Sequence, residues 1–139
     1  MPFWTSLDRY RDLGLLVARL GFGLVFFWFH GYPKLMAGPD GWERTGRAVS
    51  KVGITFGHEW WGLLAALSES VGGLLFATGL FFRPACLALL GVMVFATLDQ
   101  YARPMPAPEH ALKNAIIFAG MFLIGPGLFC FVALFRRAQ

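Results

Sequence analysis

Charge is sparse along this chain: Asp, Glu, Lys and Arg make up only 14% of its 139 residues, where soluble domains carry about a quarter. Cysteine is scarcer still. Two residues are too few for a four-ligand thiolate cage, and the absence of any Cys-x-x-Cys pair argues against thiol redox chemistry. The Lys and Arg side chains stand singly or in pairs between apolar runs, so the net charge of +4 builds no basic stripe of the kind that binds nucleic acid. A disulfide scaffold, a disordered chain, a small soluble enzyme and a nucleic-acid partner are therefore poor readings. What fills the sequence instead is apolar surface, 57% of residues with 15 Phe, 5 Trp and 17 Gly. A domain of this length still exposes about a third of its unfolded surface when folded. Lipid is the expected solvent.

Four apolar stretches, at about 13–35, 60–82, 84–101 and 111–135, each approach the roughly 20 residues that cross a hydrocarbon core as a helix. Their unbroken apolarity lacks the two-residue alternation of a transmembrane barrel. The expected fold is thus all-α, an integral membrane four-helix bundle forming one domain over 1–139, with a short interfacial helix between the first and second spans. That helix is read from Trp42, Val49, Val52 and Ile54 alternating with Arg44, Arg47 and Lys51. Before the first span, Asp8, Arg9, Arg11 and Asp12 with Trp4 and Tyr10 look like an interfacial anchor and not a cleaved signal. The second and third spans are joined by little beyond Phe82, Arg83 and Pro84, so they are antiparallel neighbours. Pro104, Pro106 and Pro108 keep the next connection non-helical. Four spans place both termini on one side with Arg83, and the Arg136 and Arg137 pair close to the membrane favours the cytoplasm for that side.

Ionisable residues inside a span cost roughly 2.5–3.5 kcal/mol each, so Arg19 and Glu69 call for an explanation. With the first and second spans antiparallel, Arg19 falls about 9 Å and Glu69 about 16 Å in from the terminal side. A long Arg side chain closes most of that gap, which makes the two an intramembrane polar pair, either a structural ion pair or a site facing a cavity. Gly21, Gly23, Gly72 and Gly73 would let the helices approach closely. Eleven residues beyond Arg19 bring His30 to the same helical face, with Lys34 one turn further. Asp99 and Tyr101 from the third span, and Glu109, His110, Lys113 and Asn114 from the fourth, reach the same depth. The expectation is a polar mouth above an apolar bundle, weighed against simple solvation of helix ends. No metal site is expected, because Glu109 and His110 point about 100° apart and no Glu-x-x-His pair occurs. A bis-His haem would have only His30 and His110 to use. The run Phe26 to Phe29 reads as packing or lipid-facing surface, part of which suits a flat lipophilic ring. Cys86 and Cys130 fall at similar depth near the terminal side.

The string LVARLGFGLVFFWFHGYPKL at 16–35, followed by GPDGW at 38–42, resembles the DoxX family of small four-span bacterial membrane proteins. The segment ALSESVGGLLFATGLFFRPACLAL is similar to that family's Glu, Gly-Gly, Leu-x-x-Gly-Leu and Arg-Pro-Ala pattern, and Gly125 to Gly127 look like its Gly-Pro-Gly. Arg19, His30, Gly31, Lys34, Glu69, Gly72, Gly73 and Arg83 match recurring positions of the family. LFCFVA stands where a polar segment often follows Gly-Pro-Gly.

The resemblance implies a multi-pass protein of the bacterial inner membrane, with relatives linked to sulfur-compound or quinol oxidation and to oxidative-stress complexes. The expected role is an accessory subunit of a quinone-linked redox or oxidative-stress system, with the polar residues shaping a pocket for a quinone or a lipid. Two alternatives use the same residues. One is an oxidoreductase subunit that passes electrons to quinone, with His30 or Glu69 moving protons. The other is a protein that binds a lipid or small hydrophobic molecule between its helices. No intrinsic cofactor is evident. Membrane lipid, a redox partner protein and a second copy of the chain are the expected partners.

Overall fold

The computed structural model describes residues 7–104 and 107–130, of which 84% are helical and none form a strand. Trp4, Pro106, Arg136 and Arg137 lie outside the described residues. Five helices follow one another: α1 (Leu7–Met36), α2 (Gly38–Gly46), α3 (His58–Thr78), α4 (Phe82–Tyr101) and α5 (Glu109–Ile124). A 3-10 stretch, Arg47–Val52, extends α2 and stops at Gly53 in the left-handed region. Among the described residues α1, α3 and α4 are long and apolar enough to cross a membrane.

The fourth apolar stretch ends earlier than the expected 111–135. Helix α5 has 16 residues, or about 24 Å against a hydrocarbon core of about 30 Å. Gly125 adopts φ 86° and ψ −179°, a conformation open to glycine alone, and Pro126 has no N–H to continue the ladder. The Gly-Pro-Gly segment therefore turns the chain instead of extending the helix.

Helix α1 is continuous over 30 residues, but its turn Phe26–Gly31 is a π-helix, with the Tyr32 N–H bonding the Phe27 carbonyl five residues back. Pro33 follows at once. Its ring would crowd the carbonyl four residues earlier in a regular α-helix, and a wider turn relieves that clash. Helices α3 and α4 are joined by Gly79, Leu80 and Phe81, where Gly79 (φ 75°) and Phe81 (φ 45°) both adopt left-handed conformations. Pro84 stands in the first turn of α4, where a missing N–H is harmless.

Small residues set the helix spacing. A Cβ on Gly23 would lie 2.5 Å from the Gly73 carbonyl oxygen and 2.6 Å from Ala77 Cβ, so α1 and α3 touch backbone to backbone. Gly31 makes an equally close contact with the Ser70 backbone, and Gly46 of α2 meets His58 and Gly62 of α3. Gly72 does otherwise. A Cβ there would meet Leu89 of α4 at an ordinary 3.6 Å, so Gly72 does not serve the close approach expected of it. The apolar core gathers around Phe118, whose ring meets those of Phe26 and Phe76 edge-on, and Phe76 stacks on Phe82 at 5.0 Å.

Candidate functional site

Glu69 is fully buried in α3, and its partner is Lys34 at the C-terminal end of α1. The Lys34 ammonium donates to Glu69 Oε1 at 2.7 Å and lies 2.6 Å from Oε2, off the hydrogen-bonding direction. The expected pairing of Arg19 with Glu69 is therefore incorrect. Because Gly31 touches Ser70, Lys34 stands within a turn of Glu69, while Arg19 lies twelve residues, about 18 Å, below that contact on α1. No arginine spans that distance.

Arg19 is instead level with the end of α3. Its guanidinium crowds Gly79, where even a Cβ would clash with it, and Nη2 donates to the Phe129 carbonyl at 2.6 Å. The residue is fully buried, and Nε and Nη1 have no hydrogen-bond partner among the described residues. A cation at a helix C-terminus is favoured by the helix dipole. Seven residues earlier on the same helix, Asp12 Oδ1 accepts the Leu128 N–H at 2.9 Å. The N-terminal half of α1 thus extends below the α3–α4 turn and holds the backbone that follows Gly-Pro-Gly. Cys130, in that segment, is buried beside Gly79, and both Cys130 and Cys86 are free thiols.

The residues expected at the polar mouth divide between two places. On one side His30 and His110 bring their rings to 5.9 Å, with Phe26 against His30 and Asn114 buried nearby on α5. Glu109 and Lys113 pair with each other on the exposed face of α5, and Tyr101 is exposed. Among the described residues no three His, Cys, Asp or Glu side chains come together as a metal-holding group. Lys34 and Asp99 belong to the other side.

That other side is a cleft of about 670 Å³ between α2 with its 3-10 extension, α3 and α4. Its floor is a run on α4 of Leu87, Gly91, Phe95 and Asp99 at four-residue spacing, continued by Arg103 two residues past the helix end and flanked by Ala88, Val92, Ala96 and Gln100. Trp61, Leu64, Ala65 and Ser68 of α3 form the facing wall. At the loop-side end Lys34, Arg44, Asp99, Gln100 and Arg103 gather, so the cleft is charged at one end and apolar along its length. Asp99 accepts from Arg103 at 2.7 Å, one turn away on the exposed helix end. Trp42 fastens α2 over the cleft by donating to the Lys34 carbonyl at 3.0 Å. Near it, Glu43 is held by Arg47 at 2.8 Å, and that hydrogen bond keeps the Glu43 carboxyl below its ordinary value.

Arg44, Gln100 and Arg103 were not singled out in the sequence as lining a site, although the i, i+4 stripe along α4 was available there. A stripe of small and apolar residues ending in polar ones is as easily read as a lipid-facing surface. Only the placement of α2 against α3 turns it into one wall of a cleft.

A family model described as DoxX matches residues 14–102. Those residues run from the first half of α1 through the end of α4 and include the Lys34–Glu69 pair and every cleft residue but Arg103; the Gly-Pro-Gly segment lies outside them. No curated protein and no solved structure matches the chain. The chain belongs to the DoxX family and is a membrane protein.

Proposed function

We propose that this DoxX-family protein binds an amphiphilic molecule in the cleft between α2, α3 and α4, its polar end at Lys34, Arg44 and Arg103 and its apolar tail along Gly91 and Phe95. The cleft itself carries the reading. A volume of about 670 Å³ is in the range of small-molecule sites, and a mostly apolar lining with a few convergent polar groups is their usual character. In the same reading α5, packed along α4, is a fourth crossing, the membrane is the bacterial inner membrane, and both termini are cytoplasmic.

A Cβ on Gly91 would meet nothing within 4 Å although Gly91 lines the cleft, so Gly91→Leu fills the trough without a clash and with a better helix former. Gly120 is equally open but lies outside the cleft, which makes Gly120→Leu the control. Native mass spectrometry of protein extracted with its surrounding lipid should show a retained small molecule in the wild type and in Gly120→Leu, and none in Gly91→Leu. The same retained mass in all three proteins counts against the cleft.

The Lys34–Glu69 pair favours a second reading, an accessory subunit of a quinone-linked redox or oxidative-stress system. Quinone reduction and quinol oxidation each move protons, and a buried carboxylate paired with a part-exposed lysine that lines the cleft would supply a route for them. A retained mass equal to a quinone, together with co-purification of a redox partner protein, supports it. If the protein itself passes electrons, quinone reduction by the purified chain must follow addition of a reduced substrate.

A further inference from the structure

We propose that the polar end received by this cleft is a phosphate monoester on a single long chain, bracketed by Arg44 and Arg103 from opposite walls. The inference rests on the amphiphile reading above and specifies its ligand.

The charges at the charged end are not equivalent. Lys34 is committed to the fully buried Glu69. Arg103 pairs with Asp99 across one turn of an exposed helix end, a contact that screening and side-chain entropy leave weak. Arg44 has no carboxylate within 4 Å among the described residues, since its neighbour Glu43 is occupied by Arg47. One uncommitted guanidinium on α2 and one loosely held guanidinium just past the end of α4 therefore line the same cleft. Planar guanidinium forks match phosphate oxygens two at a time, which a neutral headgroup cannot exploit. A zwitterionic phosphocholine would bring its ammonium close to the same two cations.

A cleft of about 670 Å³ suits one chain. From Asp99 to Leu87 the run on α4 rises twelve residues, about 18 Å, comparable with an extended long alkyl chain, and Arg103 stands just beyond its polar end. The trough is bounded by the neighbouring helices α3 and α4, with small residues, Ala65, Ala88, Gly91 and Ala96, leaving the space.

Matched sixteen-carbon probes test this: hexadecyl phosphate, hexadecylphosphocholine and hexadecanol, with a decyl-tailed quinone as a fourth, titrated into the full-length protein in a non-ionic detergent and read by native mass spectrometry. Hexadecyl phosphate should bind about tenfold or more tighter than the other two hexadecyl probes, and the margin should shrink as salt is raised. Arg44→Gln and Arg103→Gln, both at exposed positions, should each remove most of that margin while leaving hexadecanol binding unchanged. Equal binding of the three hexadecyl probes, or a preference that survives both substitutions, overturns the phosphate assignment and leaves the amphiphile reading intact. Tightest binding by the quinone also overturns it, in favour of the redox reading. If no probe binds more weakly to Gly91→Leu than to wild type, the cleft is not the site and both readings fail together.

Discussion

The Lys34–Glu69 contact makes an asymmetric prediction. Glu69 is fully buried, whereas the Lys34 side chain keeps 33% of its surface accessible. Removing the cation by Lys34→Met leaves a carboxylate sealed among helices with its compensating charge gone, a loss of about 3–5 kcal/mol. Removing the anion by Glu69→Gln is milder. The amide oxygen still accepts from the Lys34 ammonium, and that ammonium can swing towards water along its flexible stem, so the cost is about 1–2 kcal/mol. The double variant Lys34→Met/Glu69→Met replaces the pair with apolar groups of similar bulk and should fall within about 1 kcal/mol of the wild type. Chemical or thermal unfolding in one detergent, with Glu69→Met added and all five proteins at the same concentration, closes the cycle with Met at both positions, and the two positions should couple by at least about 2 kcal/mol. A Glu69→Gln protein as unstable as Lys34→Met, or a double variant whose loss equals those of Lys34→Met and Glu69→Met added together, would refute the reasoning.

Gly31→Ala should be clearly destabilising, by about 1–3 kcal/mol, because its Cβ would enter the Ser70 backbone, while Gly72→Ala, 3.6 Å from Leu89, should be neutral or slightly stabilising; melting temperatures of the two compared with wild type decide it. Trp42→Phe removes the hydrogen bond to the Lys34 carbonyl and should cost about 1 kcal/mol, seen as faster proteolysis within 47–57 as α2 lifts from α3. Asp12→Ala frees the Leu128 N–H, so hydrogen exchange at 127–130 should quicken by about fivefold or more while exchange in α3 is unchanged.

Helix content was legible because long apolar runs leave few alternatives in lipid, and so was a helical segment between the first two spans, although it stops at Val52, short of Ile54. The end of the fourth helix was not, since residues on both sides of Gly125 are equally apolar and hydropathy alone runs straight through. The signal lay in Gly125 and Pro126, a pair that stops a helix whatever surrounds it. The π-turn at 26–31 was hidden for a related reason: Pro33 announces a local irregularity, but whether it yields a kink, a break or a widened turn depends on Gly31 being pressed against Ser70.

The polar pairing shows where depth arithmetic fails. Counting residues from span boundaries assumes that antiparallel helices start level, yet α1 runs on below the α3–α4 turn so that Asp12 and Arg19 can hold the 127–130 backbone. That offset shifts Arg19 away from Glu69 by two or three turns and brings Lys34 into its place. The register between α1 and α3 is fixed by Gly23 against Gly73 and Gly31 against Ser70, four small residues visible in the sequence, but which of the many glycines face one another is a property of the packed pair. Once that register is set, the charges follow without further choice: Arg19 beside the end of α3 must find the Phe129 carbonyl, Lys34 must descend to Glu69, and Arg44 is left at the cleft with its charge unmatched. A second copy of the chain or a partner protein over the cleft would have to supply an anion at Arg44, and that requirement separates a protein covering this face from a neutral lipid lying in it.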